Sequence, residues 1–145
     1  IAHEVFKMKI PVLKEVLMIF CLIWQKGIEI FTGISIPSSV KIGYSFYIGH
    51  FGNIIFNAKT VIGNNCNISQ GVTIGISGLE AKRGVPIIGN NVYIGANAVI
   101  VGKVKISDNT LIGASSLVIF DVFENQVVMG VPAKVVSYKG SKGYI

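Results

Sequence analysis

Acidic side chains are scarce in this chain, and so are the residues that make disulfides or bind metals. Of 145 residues, seven are Asp or Glu, two are Cys and two are His. Cys21 lies in an apolar run and Cys66 at an inward repeat position, so both read as small buried hydrophobes rather than as a disulfide. Zinc needs clustered ligands. With no Cys-x-x-Cys and only His3 and His50, the chain does not supply them, and no metal is expected. Long hydrophobic runs are missing too: the unbroken stretch 16–24 is too short to span a bilayer. The shortage of acids leaves the thirteen Lys and Arg outnumbering them, for a formal charge of +6. That excess suits a solvated surface, an anionic cosubstrate or an anionic membrane. The basic residues are scattered and follow no binding motif, which argues against nucleic acid. The chain starts at Ile1 without an initiator methionine, as a fragment or a processed protein would.

What is abundant is aliphatic and periodic. Apolar residues recur every six positions at Ile30, Ile36, Ile42 and Ile48, then Phe56, Ile62, Ile68 and Ile74. The series resumes at Ile88, Ile94, Ile100, Ile106, Ile112 and Val118. Half of these residues are followed by glycine, and four places on stands a small or β-branched residue such as Val40, Cys66, Val72, Ala98 or Ser116. An inward aliphatic and a turn glycine at this short period describe a parallel β-helix of hexapeptide repeats, three to a triangular coil. A composition 51% hydrophobic and 14% charged suits such a solenoid. The chain is expected to be one domain in three parts: an N-terminal helical segment 1–26, coils 27–122 and a short C-terminal tail 123–145. Gly27 is expected to end the helix and Pro11 to begin or kink one. The apolar helix is expected to pack on another subunit, with peripheral membrane contact as its second role.

The period breaks twice. Two extra residues fall between Ile48 and Phe56, around His50, and eight fall in the loop 76–85, which is polar, glycine-containing and basic. In a rigid repeat scaffold, function tends to sit on such insertions. His50 is the candidate catalytic residue. It lies two places after an inward isoleucine, so it points outward beside the bulge. Its unperturbed pKa near 6.5 lets it take a proton at neutral pH and hand it on. Acyl transfer from a thioester to an alcohol needs such a base, because a hydroxyl is a weak nucleophile until deprotonated.

The segments 42–53, 62–75 and 88–96, then Ile112-Gly113-Ala114 and Gly130-Val131-Pro132-Ala133-Lys134, resemble the hexapeptide-repeat acyltransferases, serine acetyltransferase-like branch. The resemblance covers roughly residues 28–136. It implies a left-handed β-helix, a homotrimer with sites between neighbouring subunits, and acetyl-CoA as donor. Within it, Gly75, Ile76, Ala96 and Ala114 fall where the family binds pantetheine, and Arg83, Lys134 and Lys82 could meet the CoA phosphates. Asn57, Asn67 and Gln70 are candidates to hold the acceptor.

Two departures set the expected acceptor. Enzymes that acetylate serine carry Asp-Ile-His-Pro before the catalytic corner, and its Asp falls here on Ser35. They also carry Arg-His-Pro in the long loop, where this chain has Gly84-Val85-Pro86. Both the acid that would orient His50 and a main amino-acid contact are therefore missing. The resemblance is closest to the polysaccharide O-acetyltransferases, so a sugar hydroxyl in a surface polysaccharide or its precursor is the expected acceptor; the expected location is the cytoplasm, with the inner face of the membrane as the second option. The alternatives are serine O-acetyltransfer in cysteine biosynthesis and nucleotide-sugar N-acetyltransfer. A γ-type carbonic anhydrase is excluded, since its zinc takes three histidines.

Overall fold

The structure, a computed structural model, describes residues 11–79, 81 and 83–145. Expectations placed on residues 1–10, on Glu80 and on Lys82 lie outside the described residues. Helix α1 (Pro11–Thr32) opens at a proline, whose missing N–H is no loss in a first turn. The sequence places its end at Gly27, yet the helix continues to Thr32. A glycine inside a helix costs about 1 kcal/mol but does not stop it. Stopping takes a residue in the left-handed region, and that residue is Gly33, at φ 64°, whose N–H donates to the Glu29 carbonyl at 2.8 Å. Ile30 therefore lies on the last helical turn, 81% exposed, and is not an inward repeat residue as expected.

Coils follow at once. The first holds β1 (Ile34–Ser35), β2 (Lys41–Ile42) and β3 (Tyr47–Ile48); the second, β4 (Ile54–Phe56), β5 (Val61–Ile62) and β6 (Asn67–Ile68). The third holds β7 (Thr73–Gly75), β8 (Ile87–Ile88) and β9 (Tyr93–Ile94); the fourth, β10 (Val99–Val101), β11 (Lys105–Ile106) and β12 (Leu111–Ile112). The last has β13 (Leu117–Val118) and β14 (Val127–Gly130), after which β15 (Ala133–Ser137) turns back antiparallel. Every third strand stacks in parallel. Face A is β1-β4-β7-β10-β13, face B is β2-β5-β8-β11, and face C is β3-β6-β9-β12-β14 with β15 on its edge. The molecule is a left-handed parallel β-helix with an N-terminal helix, as the repeats and the resemblance predict.

The register measures the two insertions. Partners are 18 residues apart at Ile55↔Thr73, 20 at Ile34↔Ile54 and 26 at Val61↔Ile87. The surplus of two is the corner at His50 and the surplus of eight is the long loop. Inward isoleucines pair across coils, as Ile62↔Ile88, Ile68↔Ile94 and Ile74↔Ile100, and all of these are buried. Ile54 occupies the small-residue position of its coil and is buried as well. The first coil is only half-buried at Ile36, Ile42 and Ile48, because α1 touches it along one side. An apolar groove of about 550 Å³ remains between them, lined by Phe20, Trp24, Ile28, Ile34 and Ile36 among others.

Asparagine builds the corner between faces B and C. Asn65, Asn91, Asn109 and Asn125 all take left-handed φ, which Asn tolerates better than most residues. Their side chains form a ladder, Asn65 Nδ2 donating to Asn91 Oδ1 and Asn91 Nδ2 to Asn109 Oδ1, each at 2.9 Å. A second ladder beside it runs from the Asn64 N–H to Asn90 Oδ1 and from the Asn90 N–H to Asp108 Oδ1. That N–H, with the Asn90 amide, holds the Asp108 carboxyl below the usual Asp range. The end of the chain crosses this corner. The Ser141 N–H donates to the Asn109 carbonyl, and the Tyr144 ring lies 5.0 Å from Tyr93. Among the described residues, no helix is long and apolar enough to cross a membrane.

Candidate active site

His50 stands in the enlarged corner between faces C and A, and it is exposed. The corner turns through Gly52 at φ 105° and Asn53 at φ 53°. Below it, the same corner recurs once per coil and is tied by backbone bonds. The Gly71 N–H donates to the Gly52 carbonyl, Asn97 to Gln70, and Ser115 to Ala96, at 3.0, 2.9 and 2.8 Å. His50, Gln70, Ala96 and Ala114 therefore line one edge of the prism, at a coil spacing of about 4.8 Å. A methyl group on Gly95 would stand 2.6 Å from the Ala114 nitrogen, so neighbouring coils pack against each other without slack here. Small side chains at Ala96 and Ala114 leave the backbone approachable from outside. Among the described residues, no side chain is hydrogen-bonded to the His50 imidazole.

The other sequence candidates lie elsewhere. Asn57, Gly75, Ile76 and Arg83 belong to the corner between faces A and B, at the far end of face A. Four or so extended residues separate the two corners, about 13 Å at 3.3 Å per residue. The Asn57 side chain closes its own turn by accepting the Lys59 N–H at 3.0 Å. Asn67 lies on face C, where its amide donates to the Tyr144 carbonyl at 3.1 Å. Lys134 is exposed on β15. A single chain gathers His50, Gln70, Ala96 and Ala114, and it does not gather the rest around them.

The long loop is pinched at its root. Ser77 and Gly84 exchange both backbone hydrogen bonds, at 3.2 and 3.1 Å. A methyl group on Gly84 would stand 2.6 Å from Lys103 Cβ, so only glycine lets the loop pass this close. Gly102 is bonded to the Gly75 carbonyl one coil below, and Lys103 follows it at the loop root. Nothing in the six-residue period singles out Lys103, because it becomes the loop's neighbour only through that 26-residue register. Cys66 is buried, and desolvation pushes its thiol up. Among the described residues, no three His, Cys, Asp or Glu side chains cluster as metal ligands would.

A solenoid with one enlarged, histidine-bearing corner and one long loop is the frame of a hexapeptide-repeat protein, and residues 86–119 match the family described as bacterial transferase hexapeptide (six repeats). Sequence and structural relatives narrow this: the chain is similar to serine acetyltransferases in both sequence and fold. It is 40% identical over 110 residues to the serine acetyltransferase of Staphylococcus aureus strain Mu50, covering 76% of this chain and 52% of that one. The Neisseria gonorrhoeae serine acetyltransferase in complex with serine superposes at TM-score 0.72 and 36% identity, over 86% of this chain and 49% of that one. A serine acetyltransferase in complex with CoA superposes at TM-score 0.74 and 29% identity, over 93% and 55%. The chain spans about half the length of the curated relatives it matches first.

These relatives overturn the sugar acceptor. The polysaccharide O-acetyltransferase expectation rested on Ser35 and Val85 standing where serine enzymes carry Asp and His. Two absent contacts remove affinity, but they do not build a sugar site, and the relatives at up to 40% identity are serine acetyltransferases.

Proposed function

We propose that the chain catalyses acetyl-CoA-dependent O-acetylation of serine, with His50 as general base. The observation that carries this reading is the exposed His50 at the one enlarged corner, in a chain similar to serine acetyltransferases in both sequence and fold. The imidazole takes the proton from the serine hydroxyl as its oxygen attacks the thioester carbonyl. The new C–O bond forms, the C–S bond breaks, and the departing sulfur receives the proton from the imidazolium. Gly75, Ile76, Ala96 and Ala114 offer backbone to the pantetheine arm, and Arg83 and Lys134 offer charge to the phosphates. Gln70, one coil below His50, and Asn57 and Asn67 are proposed to hold the acceptor.

The active unit is proposed to be a homotrimer. His50 with Ala96 and Ala114 stands at one end of face A and the loop with Gly75 at the other, so a site that uses both sets is completed by a second copy. The coils carry the chemistry, and the apolar helix serves assembly.

The test is release of CoA thiol from acetyl-CoA by the purified chain, with and without L-serine. His50→Ala should lower serine-dependent turnover by about 10²-fold or more, with little change in acetyl-CoA affinity. Near-normal turnover in this variant would overturn the role of His50.

A further inference from the structure

Four coils turn the corner that holds His50, and each reaches it through an inward isoleucine: Ile48, Ile68, Ile94 and Ile112. On three of them the next residue is glycine, Gly49, Gly95 and Gly113. At Gly95 and Gly113 the next coil leaves no room for a Cβ. The remaining coil carries Ser69, so this column of the corner bears a single side chain. Ser69 precedes Gln70 and lies one coil from Gly49, whose N–H donates to the Ile68 carbonyl at 3.1 Å. It stands one rung, about 4.8 Å, from the backbone that carries His50.

On face C its hydroxyl meets a second one. Ser69 Oγ and the Tyr93 hydroxyl are 3.4 Å apart, well beyond the spacing of about 2.8 Å usual between bonded hydroxyls. Both residues are half-buried, so both hydrogens stay available to a third group. The tail fixes the Tyr93 ring. The Tyr144 ring lies 5.0 Å from it, and the Tyr144 carbonyl accepts the amide of Asn67, the register neighbour of Tyr93.

The lack of charge at this corner decides what the two hydroxyls can serve. Apart from His50, residues 49–53, 69–71, 95–97 and 113–115 include no ionisable side chain. An acceptor that brings a carboxylate here finds no Lys or Arg on this corner to meet it. Neutral donors then carry the contact, and hydrogen bonds to an ionised acceptor are roughly twice as strong as neutral ones. A phenol is a better donor than acceptor, because its ring draws on the oxygen lone pairs. Two converging O–H groups therefore suit a carboxylate better than an ammonium.

We propose that the Ser69 hydroxyl contacts the carboxylate of the acceptor amino acid and that Tyr93 is the positioning residue that aims it. The proposal rests on the serine reading and deepens it, assigning the acid group of the acceptor to one rung of the prism.

Steady-state kinetics with the full chain test it, with L-serine and L-serine amide as acceptors and CoA thiol release as the signal. The amide keeps the hydroxyl and the ammonium and lacks the carboxylate. Ser69→Gly places at this rung the residue that the other three coils carry, so its melting temperature should not change. Loss of a hydrogen bond to a charged group should lower kcat/KM for L-serine about tenfold, the loss falling on KM rather than kcat. The amide should lose far less, and Ser69→Thr should restore most of the affinity for L-serine. Tyr93→Phe should raise KM for L-serine severalfold alone and add nothing to Ser69→Gly, since it acts through Ser69. A further loss in that double variant would overturn the positioning role of Tyr93. Unchanged KM for L-serine in Ser69→Gly overturns the proposal, and so does an equal loss for the amide. Failure of the unmodified chain to acetylate L-serine would instead remove the serine reading beneath it.

Discussion

At the scale of single residues, the asparagine ladder contains one charge, and it fixes a pH dependence. Asn64, Asn90 and Asp108 occupy equivalent rungs, each accepting the N–H of the rung before. At Asp108 the acceptor is a carboxylate, and the Asn90 N–H with the Asn90 amide holds its pKa below the Asp range. A carboxyl whose pKa is lower folded than unfolded adds stability that is complete above the unfolded value, near 3.9. That stability is lost as pH falls through the lower, folded value. Asp108→Asn keeps an acceptor on the same rung and removes the titration. Its melting temperature should therefore fall less than that of the unmodified chain between pH 5 and pH 3, measured by circular dichroism. Equal losses in both proteins would mean that the bonds to Asp108 do not distinguish folded from unfolded. The effect is small, since the carboxylate is largely solvated.

Elements explain what could and could not be read from the chain beforehand. A strict period of six names the inward isoleucines, and those from Ile62 to Ile112 are buried because strand stacking obeys the same period. Two elements escaped it. Ile30 matches the period by coincidence, and only the left-handed Gly33, not the helical Gly27, marks where α1 stops. The tail has no period, but β15 pairs with β14, and Tyr144 reaches Asn67 across 77 residues of sequence. Local patterns cannot register contacts that distant. His50 was legible because its insertion interrupts a rhythm; the division of the remaining candidates between two corners was not.

The loop is the element whose removal is most informative. Its tip is exposed at Gly78, Leu79, Ala81 and Arg83, while the Ser77–Gly84 pair and the contact with Lys103 hold its root. Replacing 78–83 with a two-residue turn keeps the root. The melting temperature should then shift by no more than about 2 °C, because so little apolar surface is lost. The Michaelis constant for acetyl-CoA should rise severalfold. A large loss of stability with an unchanged Michaelis constant would make the loop a structural brace rather than part of the donor site.

At the scale of the whole molecule, the decisive fact is that face A separates His50 from the loop. If one chain sufficed, the two ends would have to act on a ligand about 13 Å apart with the outer face of a sheet between them. If copies associate around a closed ring, the His50 corner of each meets the loop corner of the next, and every interface holds one complete site. This arrangement makes a prediction that sequence similarity alone does not. His50→Ala is expected to be nearly inactive, and at acetyl-CoA well below its Michaelis constant the loop-shortened variant is expected to run severalfold slower than the unmodified chain, for different reasons. Mixed, denatured and refolded together in equal amounts, they should regain activity, because some interfaces then pair an intact histidine with an intact loop. Random assembly places both intact groups at about a quarter of interfaces, so activity should approach that fraction of the unmodified protein refolded in parallel. Sedimentation of the mixture should give the same closed oligomer as the unmodified chain. A stable monomer, or a mixture no more active than its parents despite correct assembly, would confine the whole site to one chain and require the loop to reach His50 within it.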